Sequence, residues 1–372
     1  MKICYLSDGV NVHDFRFLFS LTRRKHEVHL VSFFHDELSN SLEKNGVFVH
    51  HVKLPSIKSS LYASYIVSPL LFRRIVTKLK PDIVHSGWLQ SYGFYSALAD
   101  YHPILSMPWG TDIFLWPKKS IILKGITRFT LSRADMITCD CEQIKKEILE
   151  LVDFPPERII VFPWGIDLNI FNPSAGDGGI RKKLGWNDKP VVVHTRKLLD
   201  LYGVRYVMQA IPKVIKEVPN AMFLFCGSGP LENELIETAR SYGISSHIYF
   251  TGNIANEELP KFLNSADIYV SGSLYDGTSV ALLEAMACGL PVVVSDMPAI
   301  LEWVKDGRNG FVVPRRDSPT IARRIVELIN DTALRKTFSR ENLAIAKRRA
   351  DWEKNLDVLE SIYRRLSKHD EC

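Results

Sequence analysis

Short β-rich runs separated by helical stretches recur from one end of the chain to the other, and this alternation narrows the possible folds more than any single motif. In the first half the runs are KICYLS, HEVHLVSF, DIVHS, PILSM, DMITCD and RIIVFP, and in the second PVVVHT, MFLFCG, HIYFTG, DIYVSG, PVVVSD and GFVVP. Each is nearly continuous in apolar residues, as expected of strands buried on both faces of a parallel sheet with helices on either side. A chain of 372 residues is too long for one ordinary core. The expected fold is α/β with two Rossmann-like, doubly wound parallel-sheet domains. The stretch PWGIDLNIFNPSAGDGGIRKKLGWNDKP, rich in Pro, Gly, Asn and Asp, has linker composition and divides the chain into an expected 1–170 and 171–345. The remainder, 346–372, is expected to be a helical tail that caps the second domain or crosses back to the first. Ligands of such sheets bind outside the carboxyl ends of the strands, so the expected site is a cleft where the two domains face each other.

Hydrophobic residues make up 46% and charged residues 24%, and no apolar run approaches the ~20 residues needed to span a bilayer. The start, MKICYLSDGV, reads as a first strand and not as a signal-peptide core, so a cytoplasmic location is expected. Six cysteines are scattered, and the Cys139, Cys141 spacing is unlike the paired ligands of zinc sites, so no metal is expected. The formal charge is only +5, and no nucleic-acid partner is expected. The charge is unevenly spread: residues 16–133 hold 16 Lys and Arg against 7 Asp and Glu, with Phe15, Phe17, Leu18, Phe19, Leu71 and Phe72 close to the basic clusters. Such stretches fit either solvated helix faces or a peripheral contact with anionic lipid headgroups or a phosphorylated acceptor, at the inner membrane face.

Three constellations carry chemistry. In DIYVSGSLYDGTSVALLEAMACGLP a strand leads through a loop into a helix that stops at Gly289 and Pro291. Thr278 or Ser279 is placed to cap that helix, which leaves its first amides beside Gly277 and Val280 as a phosphate site. Asp276 sits just before that site, and Glu284, eight residues later, puts a carboxylate in an apolar helix, where it either accepts from a pair of ligand hydroxyls such as a ribose or pairs with a base such as Lys305. In VVVHTRKLLDLYGV a buried strand ends at His194 and is followed by Arg196 and Lys197, cations placed to grip a phosphate. In FLFCGSGP, Gly227 and Gly229 permit either close approach of a ligand or a tight turn.

Taken together and in order, strand-R-K, CGSGP, TGNIANEELPKFLNSADIYVSGS, the acid-x7-acid stretch, EAMACGLPVVVSD and DGRNGFVVP resemble the nucleotide-sugar-binding half of a GT-B glycosyltransferase of the retaining family 4 type. The first half resembles the family through SDGVNVHDF, LSRADMITCD and VFPWGIDLNIFNP. The resemblance implies that Glu284 holds the donor ribose, Arg196 the diphosphate, and Asp276 with the backbone of Gly277, Thr278, Ser279 and Val280 the sugar and phosphates, with Ile254 near the base. In the first domain it implies cleft or acceptor positions at Gly9, His13, His85, Trp109 and Asp112. Three positions depart from the family pattern. Tyr202 stands near the usual place of a Lys, for which Lys197 or Arg205 would substitute; Asp276 replaces a Glu; and Trp109 precedes Gly110 where many members have a His.

The implied reaction is transfer of a sugar from a UDP- or GDP-sugar co-substrate to an acceptor hydroxyl with retention at the anomeric carbon and without a metal. The implied catalytic residues are Arg196 and Asp276, with the helix amides stabilising the leaving diphosphate. Three alternatives stand beside it: a sugar-nucleotide epimerase or hydrolase on the same scaffold, and a nucleotide-sugar-binding protein without catalysis. A nicotinamide-dependent oxidoreductase is disfavoured, because no Gly-rich dinucleotide fingerprint follows a strand.

Overall fold

The computed structural model describes residues 1–8, 12–33, 37–52 and 61–367, with the backbone alone described at 12, 37–39 and 61–66. Two compact units are present, one made of Met1–Phe162 together with Asp357–Cys372, the other of Pro163–Leu356. The first division falls a few residues before the expected boundary because the linker already belongs to the second unit. Phe171 lies in that unit's core, and the Ile166 amide donates to the Ala350 carbonyl at 2.7 Å. The second division falls inside the helix Trp352–Ser367, whose later turns pack with the first unit.

The first unit holds a seven-stranded, wholly parallel sheet: β1 Lys2–Leu6, β2 Glu27–Ser32, β3 Phe48–His51, β4 Ile83–Gly87, β5 Ile104–Met107, β6 Met136–Cys139 and β7 Ile159–Val161. Their order is β3-β2-β1-β4-β5-β6-β7, so the winding reverses between β1 and β4. Expectation and structure differ at β3. This four-residue edge strand carries two histidines and leaves Phe48 55% exposed, so it lacks the apolar continuity that marks the inner strands.

The second unit repeats the plan with six parallel strands: β8 Val191–His194, β9 Met222–Cys226, β10 Ile248–Gly252, β11 Ile268–Ser271, β12 Val292–Ser295 and β13 Gly310–Val313. The order β10-β9-β8-β11-β12-β13 reverses between β8 and β11. Successive residues supply opposite cores, as the two-residue pleat requires: Val191, Val193, Leu224, Tyr269, Val292 and Val294 on one face, Val192, Phe223, Phe225, Val270 and Val293 on the other. Both faces are therefore dry, which is why these strands read as unbroken apolar runs. Among the described residues, no helix is long and apolar enough to cross a membrane.

Candidate nucleotide-sugar site

In the second unit the loops after β8 and β11 flank the strand-order reversal, where a doubly wound sheet opens a crevice at its carboxyl edge. The β8 loop carries Arg196, and the β11 loop carries Asp276 and ends at Ser279. Ser279 caps the helix Val280–Ala287, its hydroxyl accepting from the Leu282 amide at 3.4 Å. Of the two capping candidates the structure selects Ser279, while Thr278 and Gly277 are buried beside it.

Arg196 joins the two loops. Its Nη1 donates to Ser279 Oγ at 2.9 Å, its Nη2 lies 2.8 Å from Asp276 Oδ2, and its guanidinium sits over the Tyr202 ring, 3.8 Å from the centroid. Burial would lower the Arg196 pKa, but the Asp276 carboxylate outweighs it and holds the guanidinium charged above its ordinary value. Burial raises the Asp276 carboxyl, and Arg196, the Ser279 hydroxyl and the Gly277 amide pull against it. The guanidinium is thus fixed on one face by an aromatic ring and along its edge by an acid and a hydroxyl, at the positive end of a helix dipole.

Glycine fixes the backbone here at two places. Gly203, with φ +57°, closes the turn after Tyr202, and a Cβ there would overlap the carbonyl oxygen of Gly272 in the β11 loop. Gly227, with φ +136°, lets the β9 loop settle against the Arg196 turn, where a Cβ would lie 2.9 Å from the Arg196 carbonyl oxygen. The glycine after β9 therefore serves chain packing behind Arg196.

Glu284 is buried on the helix Val280–Ala287. The base offered as its alternative partner is engaged elsewhere, since Lys305 Nζ donates to the Leu301 carbonyl at 2.7 Å. Lys197 is exposed beside Arg196, and Ile254 is half-buried in the loop after β10, packed on the core. Arg205 is committed to Glu234, its Nε donating at 2.6 Å, and to Asp200, so it does not turn toward Arg196. His194, at the end of β8, is buried, and its Nδ1–H donates to the Val270 carbonyl at 3.1 Å. Burial depresses its pKa to about 4.

In the first unit, Gly9 lies outside the described residues. His13 opens the helix Val12–Arg23 and meets the Trp109 ring edge-on, with centroids 6.1 Å apart. Asp112 is fully buried and accepts from the Trp109 amide at 2.9 Å and the Leu89 amide at 3.3 Å, tying the loops after β4 and β5 together. Burial raises it to about 6 against those amides. His85 does not face a cleft. It is wholly buried on β4, shares a 2.6 Å hydrogen bond with the Tyr363 hydroxyl of the terminal helix, and is depressed to about 3 by burial. The inward alternation of a central strand accounts for this. Asp14, which sequence reasoning passed over, is fully buried beside His13, and burial first, then the Asp8 carboxylate, raises it to about 8. Among the described residues no group of three or more His, Cys, Asp or Glu is placed to hold a metal ion.

Two family models cover most of the chain. "Glycosyl transferases group 1" matches residues 178–343, the unit that carries Arg196, Asp276 and Glu284, and "Glycosyl transferase 4-like" matches residues 2–141. The chain belongs to the group 1 glycosyltransferases. An uncharacterized glycosyltransferase of Methanocaldococcus jannaschii is 24% identical over 346 residues, covering 88% of this chain and 87% of that one. A GDP-mannose-dependent alpha-(1-6)-phosphatidylinositol monomannoside mannosyltransferase of Mycolicibacterium smegmatis is 32% identical over 185 residues, about half of each chain at 48%. Among solved structures, Anabaena HepE in complex with UDP superposes with a TM-score of 0.82 at 21% identity, over 97% of this chain and 99% of that one. A glycosyltransferase with the GT-B fold is thus what the two parallel-sheet units build.

Proposed function

We propose that this glycosyltransferase moves a sugar from a nucleoside diphosphate sugar to an acceptor hydroxyl with retention of anomeric configuration. The observation that carries the reading is Arg196, held by Ser279 and Asp276 at the amino end of the helix Val280–Ala287. A guanidinium beside the positive end of a helix suits a diphosphate, and both oppose the negative charge that grows on it as the glycosidic bond breaks. No metal is required for that step. Asp276 releases Arg196 to the diphosphate and turns to the sugar hydroxyls, which it orients without acting as a base. Glu284 accepts from the ribose hydroxyls. Similar proteins support a nucleotide donor, one structure holding UDP and one relative being named as GDP-mannose-dependent. The acceptor is bound by the first unit at the carboxyl edge of β1, β4 and β5, where His13, Trp109 and Asp112 gather, and the basic stretches of that unit favour an anionic or lipid-linked acceptor.

Arg196→Ala tests the assignment. Thermal shift with UDP, GDP and their sugar conjugates, followed by product analysis with and without acceptor, should show one nucleotide series stabilising the wild type. The variant should lose at least about 100-fold in turnover, as for removal of one oxyanion donor. An Arg196→Ala enzyme that turns over normally would overturn the assignment, and sugar released to water or isomerised without acceptor would make the protein a hydrolase or epimerase.

A further inference from the structure

The stretch WPKKSIILKGITRFTLSR, Trp116 to Arg133, contains five Lys and Arg and no Asp or Glu. It folds as the short turn of helix Trp116–Lys119 and the helix Ile121–Ser132, opened by Ser120, whose hydroxyl accepts from the Leu123 amide at 3.1 Å. Its inner side is pinned: Gln90 Nε2 donates to Thr127 Oγ1 at 2.7 Å, Thr130 Oγ1 donates to the Leu89 carbonyl at 3.0 Å, and Leu131 is buried.

The outer side is unusual in two ways. Ile121 and Ile122 are 82% and 70% exposed, more than any other large hydrophobic side chain among the described residues, and Phe129 is partly exposed on the same helix. Ile122 and Phe129, seven residues apart in the sequence, lie two turns apart on one stripe. Around them stand exposed Lys118, Lys119, Lys124 and Arg128, with Lys119 Nζ held 4.3 Å from the Trp116 ring centroid. By contrast Phe17, Leu18 and Phe72, apolar residues near the other basic clusters, are buried in the unit's core.

We propose that this face docks on the surface of an anionic lipid bilayer, with Ile121 and Ile122 entering the headgroup boundary and Lys118, Lys119, Lys124 and Arg128 meeting the lipid phosphates. Charge decides the occupant. Protein interfaces are depleted in Lys at their cores, whereas adjacent aliphatic side chains ringed by four cations, of which Lys118 has an acid beside it, Glu147 at 3.4 Å, match an anionic membrane interface. Long cationic side chains also reach back to the headgroups while their stems cover apolar surface. The helix follows β5 by two short helices, so docking brings the edge that carries Trp109 and Asp112 to the side where a lipid-linked hydroxyl would be presented.

Flotation of the full chain with phosphatidylcholine vesicles, with and without phosphatidylglycerol, tests this without any nucleotide, and so independently of the donor reading. The wild type should float with phosphatidylglycerol vesicles, less so as salt is raised, and not with phosphatidylcholine alone. Ile121→Ser with Ile122→Ser should weaken partition at least about tenfold, since each isoleucine withdrawn from the apolar boundary forfeits most of its burial gain. Lys124→Glu with Arg128→Glu should weaken it at least about 25-fold, at about fivefold per charge removed. All four positions are exposed, and circular-dichroism melts matching the wild type verify that the variants fold. Failure of the wild type to float with anionic vesicles, or flotation of either folded variant at wild-type strength, overturns the proposal. A lipid-free dimer that the isoleucine pair converts to monomer in the ultracentrifuge would assign the face to a second copy instead.

Discussion

Tyr202 places the face of its ring against Arg196, 3.8 Å from ring centroid to guanidinium. A desolvated cation over an aromatic face gains ~1–2 kcal/mol, enough to fix the guanidinium plane. Tyr202→Ala is expected to weaken nucleotide binding about tenfold in titration calorimetry, the equivalent of ~1.4 kcal/mol, while Tyr202→Phe stays close to wild type. Equal losses in both variants would move the role from the ring to the hydroxyl. At this scale the sequence shows cations and acids more readily than their partners. Arg196 after a buried strand, and Asp276 and Glu284 at their spacing, are visible as chemistry. Tyr202 is visible only as a departure, because its contact depends on a turn that folds its ring back over a side chain six positions earlier. Asp14 and His85 are misleading in the same way: burial sets the protonation of both, and burial depends on partners distant in sequence, such as Tyr363 for His85.

Between elements, the closest approach at the site is that of the β8 and β11 loops at Gly203 and Gly272. A methyl at Gly203 meets both a left-handed backbone and the Gly272 carbonyl, so Gly203→Ala must push the loops apart. The expected cost is ~2–4 kcal/mol of stability, seen as a lower denaturation midpoint, together with loss of nucleotide-induced stabilisation as Arg196 and Ser279 separate. A variant that keeps the wild-type midpoint and nucleotide shift would show that the loops tolerate separation. Inner strands were legible because both of their faces are dry, and an apolar run is then unambiguous. β3 was not, because an edge strand with one wet side alternates weakly over four residues and sounds like a loop.

Across the whole molecule, four buried groups, His85, His194, Asp14 and Asp112, the last raised to about 6, set opposing pH slopes. His85 in one unit and His194 in the other are depressed to about 3 and about 4, so their contributions are fully present above the unfolded value of about 6.5 and are lost as pH falls. Asp14 is raised to about 8 from an unfolded value of about 3.9, so its contribution is present in acid and is lost as pH rises toward 8. Between about 4 and 6 the two histidines are opposed by two acids and the net slope is small, whereas above about 6.5 only Asp14 acts, so these groups give a plateau in acid and a falling limb toward pH 8, with slopes of up to ~1.4 kcal/mol per pH unit per group. Denaturant melts across pH 5 to 8 should show this plateau and alkaline limb, and Asp14→Asn should flatten the limb. An unchanged limb in the variant would assign the slope elsewhere.

The helix Trp352–Ser367 leaves the second unit and finishes in the first, where Tyr363 meets His85 and Glu360 lies 3.2 Å from Arg24 and 2.9 Å from His26. On the ribosome the order of events follows. The first unit emerges early with the site of its last helix unfilled, including the buried nitrogen of His85 that Tyr363 will satisfy, while the second unit is still being made. Only when the final turns are released can the earliest strands be sealed. The unit whose strands are made earlier is therefore completed only after the strands of the other, and a nascent chain waits in that interval with the places of Leu359, Ile362 and Leu366 unfilled.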